Sequence, residues 1–98
     1  MSSQHDYTKE ELKAIEENAG YFFSPMEIAQ IIECETNRFI IDYQSNKDGV
    51  RSKYNRGYFL AQAKIRKGLI DLANKGSNTA ISDTLKILKK LQMQLENI

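Results

Sequence analysis

The feature that most constrains this chain is a long row of apolar residues at helical spacing in its second half. Seven of them recur every three or four positions, the period of one face of an α-helix: Val50, Tyr54, Tyr58, Ala61, Ile65, Leu69 and Leu72. The row predicts one long helix over residues 50–75. Gly57 and Gly68 lie beside it, and each weakens a helix by about 1 kcal/mol relative to alanine. We therefore expect both glycines to permit close contact with another helix.

A turn and a last helix follow this row. Gly76 is placed to end the long helix, because glycine adopts the left-handed backbone of a helix C-terminus without strain. Ser77 or Asn78 can then cap a helix that runs to about Glu96. The stretch NKGSNT lacks the GxxxxGK[ST] spacing of a phosphate-binding loop, so we interpret it as a turn between two helices whose apolar rows face each other. The row of the last helix consists of Ile81, Leu85, Leu88, Leu91 and Leu95.

Two capping boxes mark helix starts in the first half of the chain. Thr8 with Glu11 three residues later predicts a helix over residues 9–19 that ends at Gly20. Ser24 with Glu27 predicts another, and the proline between them suits a first helical position. The buried face of this second helix is expected to contain Ile28, Ala29, Ile31 and Ile32, and Phe23 is expected to form a hydrophobic staple with Ile28.

A third short helix follows after a turn of three or four residues. Thr36 or Asn37 can cap it, and Phe39, Ile40 and Tyr43 are its inward residues. Two short helices joined in this way have the geometry of a helix-turn-helix. The glycine usual in such a turn is absent, and the residues Glu-Cys-Glu at 33–35 take its place.

The predicted fold is therefore all-α: an N-terminal helix plus a helix-turn-helix, followed by a long-helix hairpin. At 98 residues the chain is expected to form one domain. Within it we distinguish an N-terminal helix over residues 1–20, which the sequence leaves free to be mobile, and the helix-turn-helix over residues 21–47. Residues 48–98 form the hairpin, which is expected to supply core and oligomerisation contacts.

Charge is distributed unevenly along the chain although the net charge is only +1. Residues 1–46 carry three basic and nine acidic groups, whereas residues 47–76 carry eight basic and two acidic groups. A basic segment of this kind can bind phosphate. The alternative is that the opposite charges of the two halves neutralise each other within the fold or between subunits.

The residues needed for catalysis are scarce. The one histidine, His5, lies in a polar terminal segment, and the one cysteine, Cys34, has no second cysteine or neighbouring histidine to act with. We therefore expect a non-enzymatic protein with no catalytic residues, no metal and no cofactor. The single cysteine and the lack of a long apolar run or signal sequence favour a cytoplasmic protein without a membrane partner.

The last helix has more apolar surface than one intramolecular contact needs, because Ile87 and Met93 lie outside its main row. In a small all-helical chain such an excess favours a homo-oligomer, with the main row as the contact surface. The alternative is that these residues cover the N-terminal helices.

The order of these elements resembles that of the small terminase subunits and related helix-turn-helix DNA-packaging proteins of tailed bacteriophages. The similar stretch covers residues 24–88, with a Tyr-x-x-Gly-type segment followed by a hairpin of the pattern xLRxxLxxLAxxGxxxAIxxxLK. The matching residues are Tyr54, Arg56, Gly57, Ile65, Arg66, Leu69, Leu72, Ala73, Gly76, Ala80, Ile81, Leu85 and Lys86.

The resemblance implies a non-enzymatic factor that recognises double-stranded viral DNA and assembles into a ring. Such a factor presents DNA to a separate large ATPase–nuclease subunit and acts in the bacterial host cytoplasm if it is phage-encoded. The implied groove-reading residues are Asn37, Arg38, Asp42 and Gln44, and the implied backbone contacts are Lys47, Arg51, Lys53 and Arg56. The reading helix departs from expectation because it is poor in charge, so affinity must come from the basic segment or from several subunits acting together.

Two other functions fit the same sequence. One is a structural component of a virion or another assembly that does not bind DNA. The other is a dimeric helix-turn-helix transcriptional regulator. A DNA-binding measurement distinguishes the structural component from the packaging factor. The number of subunits distinguishes the dimeric regulator from the packaging factor.

Overall fold

The structure, a computed structural model, describes residues 5–97. Within this range the chain forms helices and no strand, so the predicted all-α fold is confirmed. The helices are α1 (Lys9–Ala19), α2 (Pro25–Ile31), α3 (Thr36–Ser45), α4 (Val50–Asn74) and α5 (Asn78–Glu96), with a 3₁₀ turn at Lys47–Gly49. They form two compact units, and the border between the units lies inside α4, after Gln62.

The first unit contains the main hydrophobic core. Its largest fully buried side chains are Phe39, Ile15, Ile28 and Val50, which come from α3, α1, α2 and α4 respectively. Each of these helices therefore contributes to one core. The N-terminal helix is part of it, because Ile15 and Ala19 are completely buried.

Both predicted capping boxes are formed. The Thr8 hydroxyl accepts a hydrogen bond from the backbone N–H of Glu11, whose carboxylate accepts one from the backbone N–H of Thr8. Ser24 and Glu27 make the same reciprocal pair at the start of α2. The cap of α3 differs from the prediction: the Glu35 carboxylate, one residue before the helix, accepts from the backbone N–H groups of Asn37 and Arg38.

A residue with left-handed backbone follows the end of both α1 and α2. After α1 this residue is not Gly20, the glycine predicted to end the helix. Gly20 has an ordinary helical φ of −66°, and Phe22, at φ 65°, takes the left-handed position. Glu33, at φ 58°, does the same after α2, where a helix-turn-helix usually has glycine. The backbone N–H of Cys34 then bonds to the carbonyl of Ala29 at 2.8 Å, which closes the turn.

The packing of α2 on α3 follows the predicted pattern in part. Ile28 and Ala29 are buried on α2, and Phe39 is buried on α3. Ile31 was expected in the core but is 44% exposed, because α2 ends there and turns its last residue outward. Phe23 is also exposed, so it does not form a buried staple with Ile28.

The two helix-interior glycines of α4 have different environments. Gly57 is buried against the backbone of α1, and a Cβ atom at this position would overlap the carbonyl group of Glu16. Gly57 therefore permits the close contact that its position beside the apolar row predicts. A Cβ at Gly68 would have no atom within 4 Å, so the same expectation is wrong for Gly68.

The second unit consists of the end of α4 and all of α5. Gly76, at φ 91°, ends α4 as predicted, and the Ser77 hydroxyl caps α5 by accepting from the backbone N–H of Ala80. The apolar rows of the two helices do not bury each other. Leu72 of α4 is 51% exposed. The predicted oligomerisation residues of α5 are between 39% and 60% exposed: Ile81, Leu85, Leu88, Leu91 and Leu95.

Candidate nucleic-acid interface

The outward face of α3 carries two of the predicted DNA-reading residues. Asn37 and Gln44 are both exposed, and they are seven positions apart, which places them on one side of the helix. Ile41 lies between them at the same helical spacing and is 53% exposed. Ile41 is not among the predicted site residues, although its spacing from the two amides is visible in the sequence.

Asp42 does not belong to this face, so the groove-reading role expected for it is wrong. It is only 2% exposed, and its carboxylate accepts a hydrogen bond of 2.7 Å from the Tyr7 hydroxyl. Burial and this hydrogen bond raise the pKa of the Tyr7 phenol. The Arg38 guanidinium lies 3.9 Å from the same carboxylate. The negative charge of Asp42 therefore balances that of Arg38, the single cationic residue of α3. Asp42 therefore stabilises the fold from the inner side of the helix.

Lys47 holds the N-terminal segment in place. Its ammonium group contacts the backbone carbonyl of His5 and the carboxylate of Asp6, and it lies 3.6 Å from the Asp48 carboxylate. It also lies 5.6 Å from the centroid of the Tyr7 ring. These contacts already engage the charge that the sequence assigns to DNA phosphate.

Arg51 is a residue of α4, and its side chain reaches the C-terminal end of α3. Its guanidinium donates a hydrogen bond of 3.0 Å to the backbone carbonyl of Gln44. A cation is favourable at this position, since the last carbonyls of a helix carry partial negative charge. The bond uses one of the five guanidinium N–H donors. Arg51 therefore adds an accessible positive charge at the end of the face that carries Asn37 and Gln44.

Lys53 and Arg56 lie on a different side of α4. At about 100° per residue, positions 51 and 53 are roughly 200° apart around a helix. Both side chains approach Glu16 of α1, at 3.9 Å and 3.7 Å from the same carboxylate oxygen. The predicted DNA-binding residues thus divide into a group around α3 and a pair beside α1.

A groove between α1 and α4 includes Lys53 of this pair in its lining. It has a volume of about 330 Å³ and is lined by Lys9, Leu12, Lys13, Glu16 and Lys53. Lys9 and Lys13 were not predicted as binding residues, because along the sequence they lie in the acidic half. Helical spacing places them one turn apart, on the side of α1 that meets the basic start of α4. The fold therefore joins basic residues that are 40 positions apart in the sequence.

A separate patch of exposed aromatic residues lies in the first unit. Its members are Tyr21, Phe22, Phe23 and Phe59, which are between 37% and 73% exposed. The ring of Tyr58 packs edge-on against Phe22 and Phe59, at centroid distances of 5.5 Å and 5.4 Å. Tyr58 is half-buried, which agrees with its predicted place in the apolar row of α4. This aromatic patch is a surface suited to apolar contact with another molecule.

Cys34 packs against the core of the first unit, as the sequence indicates. It is half-buried, and its sulfur lies 3.8 Å from the Tyr7 hydroxyl oxygen. Burial raises the pKa of its thiol. In residues 5–97 there is no cluster of three or more His, Cys, Asp or Glu placed to hold a metal ion.

None of the helices in the described range combines the length and apolar character needed to cross a bilayer. Comparison of the chain with models of protein families, with curated proteins and with solved structures gave no match.

Proposed function

We propose that this protein is a non-enzymatic DNA-binding factor of the phage small-terminase type, which assembles into an oligomer and delivers viral DNA to a large ATPase–nuclease subunit. The observation that carries the proposal is the outward face of α3. There Asn37 and Gln44 are exposed on one side of a helix, and the cationic side chain of Arg51 is fixed at its end. The resemblance to the phage family over residues 24–88 supplies the packaging role.

The chemistry of this face suits a DNA groove. Asparagine and glutamine amides can pair with both the N6 and N7 positions of adenine, and an α-helix fits the major groove. Ile41 between them can contact a thymine methyl group. Arg51, beside the last turn, is placed to contact backbone phosphate. The reading set is therefore Asn37, Ile41 and Gln44, with Asp42 excluded by its burial.

Affinity has to come from outside α3. The Arg38 charge is balanced by Asp42, so the reading helix supplies no net positive charge of its own. Several copies that bind one duplex would compensate, because each linked site raises the effective concentration for the next. The exposed apolar row of α5 supports such an assembly.

The test is fluorescence anisotropy with a labelled 30-base-pair duplex over a range of salt concentrations. We expect binding that weakens steeply with salt, since phosphate contacts release counterions. The double substitution Asn37→Ala with Gln44→Ala should weaken binding to the preferred sequence by about tenfold or more. Its control, Gln30→Ala with Asn55→Ala, removes two exposed amides from α2 and α4 and should leave affinity unchanged. No binding at low salt would overturn the proposal.

The exposed aromatic patch favours a second candidate, a component of a virion or another assembly that does not bind DNA. Self-association without any salt-dependent DNA binding would support this candidate over the first.

A further inference from the structure

We propose that Glu16 occupies a phosphate-binding site between α1 and α4, and that a DNA backbone phosphate replaces its carboxylate among the surrounding cations. This inference rests on the proposed DNA-binding function and deepens it. It places a backbone contact on a surface away from α3. In this role the Glu16 carboxylate competes with the DNA phosphate for the same cations and lowers the affinity of the protein for DNA.

The ion pairs of Glu16 are long. A single carboxylate oxygen lies 3.9 Å from the Lys53 ammonium and 3.7 Å from Nε of Arg56. Both distances exceed those of a hydrogen bond. Ion pairs of this kind at a partly exposed site contribute little to stability. The N–H donors of both cations therefore remain available to an anion with more oxygen atoms, such as phosphate.

The site has more cations than the acidic residues beside them can balance. Lys13 lies 4.0 Å from Glu17, at the limit of an ion pair. Among residues 5–97 no carboxylate lies within 4 Å of the Lys9 ammonium. The groove is thus lined by three lysines and one carboxylate, that of Glu16, and the Arg56 guanidinium approaches the same carboxylate. The apolar wall of the groove is Leu12, so the groove provides few other partners for these charges.

The position of Glu16 is fixed by the fold. Its backbone carbonyl lies against Gly57, so the backbone of Glu16 cannot move away while α1 and α4 stay packed. The Glu16 side chain is 30% exposed, whereas the Lys53 and Arg56 side chains are 48% and 64% exposed. The cations therefore reach farther into solvent than the carboxylate does. A phosphate can approach them from outside without unpacking α1.

The alternative role for Glu16 is a clamp that holds α4 on α1 through its ion pairs. The two roles predict opposite results for the substitution Glu16→Gln. A competitor predicts tighter DNA binding with little change in stability. A clamp predicts lower stability with unchanged DNA binding.

The experiment measures the affinity of the full chain for the 30-base-pair duplex by anisotropy, together with urea unfolding. We expect Glu16→Gln to raise affinity by about three- to tenfold at low salt, because a repulsive charge is removed from the phosphate path. The control, Glu10→Gln, removes the same charge from an exposed position of α1 that does not line the groove, and should change affinity less than about twofold. Conversely, Lys9→Gln with Lys13→Gln should weaken binding and reduce the slope of the salt dependence by about 2.

Unchanged affinity of Glu16→Gln, or an equal gain in Glu10→Gln, would overturn the inference while leaving the proposed function intact. If the wild-type chain binds no duplex at low salt, the proposed function fails. The groove is then tested alone by an NMR titration of Glu16→Gln with inorganic pyrophosphate. Shifts confined to the amides of Lys9, Lys13, Lys53 and Arg56 would support a phosphate site, and their absence would exclude it.

Discussion

The carbonyl group of Glu16 on α1 lies directly against Gly57 on α4, so closely that a Cβ atom on Gly57 would be 2.8 Å from the carbonyl carbon and closer still to its oxygen. Gly57→Ala should therefore force the two helices apart. We expect it to lower the free energy of unfolding by about 1–3 kcal/mol, as overpacked sites do. Urea unfolding followed by circular dichroism measures the change.

Gly68→Ala is the matched control on the same helix. A methyl group there meets no atom within 4 Å, so only the helix propensity changes. We expect this substitution to stabilise the protein by about 0.5–1 kcal/mol. Equal effects of the two substitutions would contradict the close α1–α4 contact.

The hydrogen bond between the Tyr7 hydroxyl and Asp42 predicts that Tyr7→Phe is destabilising. The substitution leaves a buried carboxylate without its 2.7 Å donor, which costs about 1–3 kcal/mol. Tyr21→Phe, at a side chain that is 73% exposed, serves as the control and should have no measurable effect. Chemical denaturation of the two variants gives the comparison, and a loss of the same size in both would show that the Asp42 contact is not responsible.

The helices and the starts of α1 and α2 could be predicted from the sequence because they depend on neighbouring residues. The capping boxes of Thr8 and Ser24 and the end of α4 at Gly76 each need only a few adjacent positions. The burial of Asp42 could not be predicted in this way. Helical spacing gives its side of α3, but the partner that makes burial favourable is Tyr7, 35 residues earlier.

The candidate site shows the same division between local and distant information. The exposure of Asn37 and Gln44 follows from the apolar pattern of α3. The groove depends on how α1 crosses α4, a contact for which Gly57 is the sole local signal. The approach of Lys9 and Lys13 to Lys53 could not be predicted, because the distribution of charge along the chain does not give its distribution over the folded surface.

The capping box of α2 predicts a pH dependence that one substitution can isolate. The Ser24 backbone N–H and hydroxyl bond to the Glu27 carboxylate and hold its pKa below the ordinary value of 4.5. Because the folded pKa is the lower one, the carboxylate stabilises the fold above about pH 4.5, and this contribution disappears as the pH falls through the folded pKa. Glu27→Gln keeps an acceptor oxygen but cannot titrate.

We therefore expect the melting temperature of the wild type to fall more steeply between about pH 5 and 3 than that of Glu27→Gln. Thermal unfolding at a series of pH values measures both slopes. Glu33→Gln removes an exposed carboxylate that makes no hydrogen bond or ion pair among residues 5–97, so its slope should match the wild type. Parallel curves for all three proteins would mean that the Glu27 carboxylate adds nothing to the cap.

The exposed apolar row of α5 predicts where the assembly interface lies. Leu85 and Leu88 are 60% and 50% exposed, and an isolated leucine-rich face of this size favours association with another copy. Leu85→Gln with Leu88→Gln should shift the protein toward the monomer, seen as a lower mass in native mass spectrometry. Lys86→Gln with Lys90→Gln places two glutamines on the opposite face of the helix without removing apolar surface from the row, and should leave the mass of the assembly unaltered. If the wild type is a monomer at high concentration, or if both double variants keep the wild-type mass, the α5 row is not the interface. DNA binding by several linked copies would then require a different contact surface, for which the aromatic patch of Tyr21, Phe22, Phe23 and Phe59 is the exposed apolar alternative.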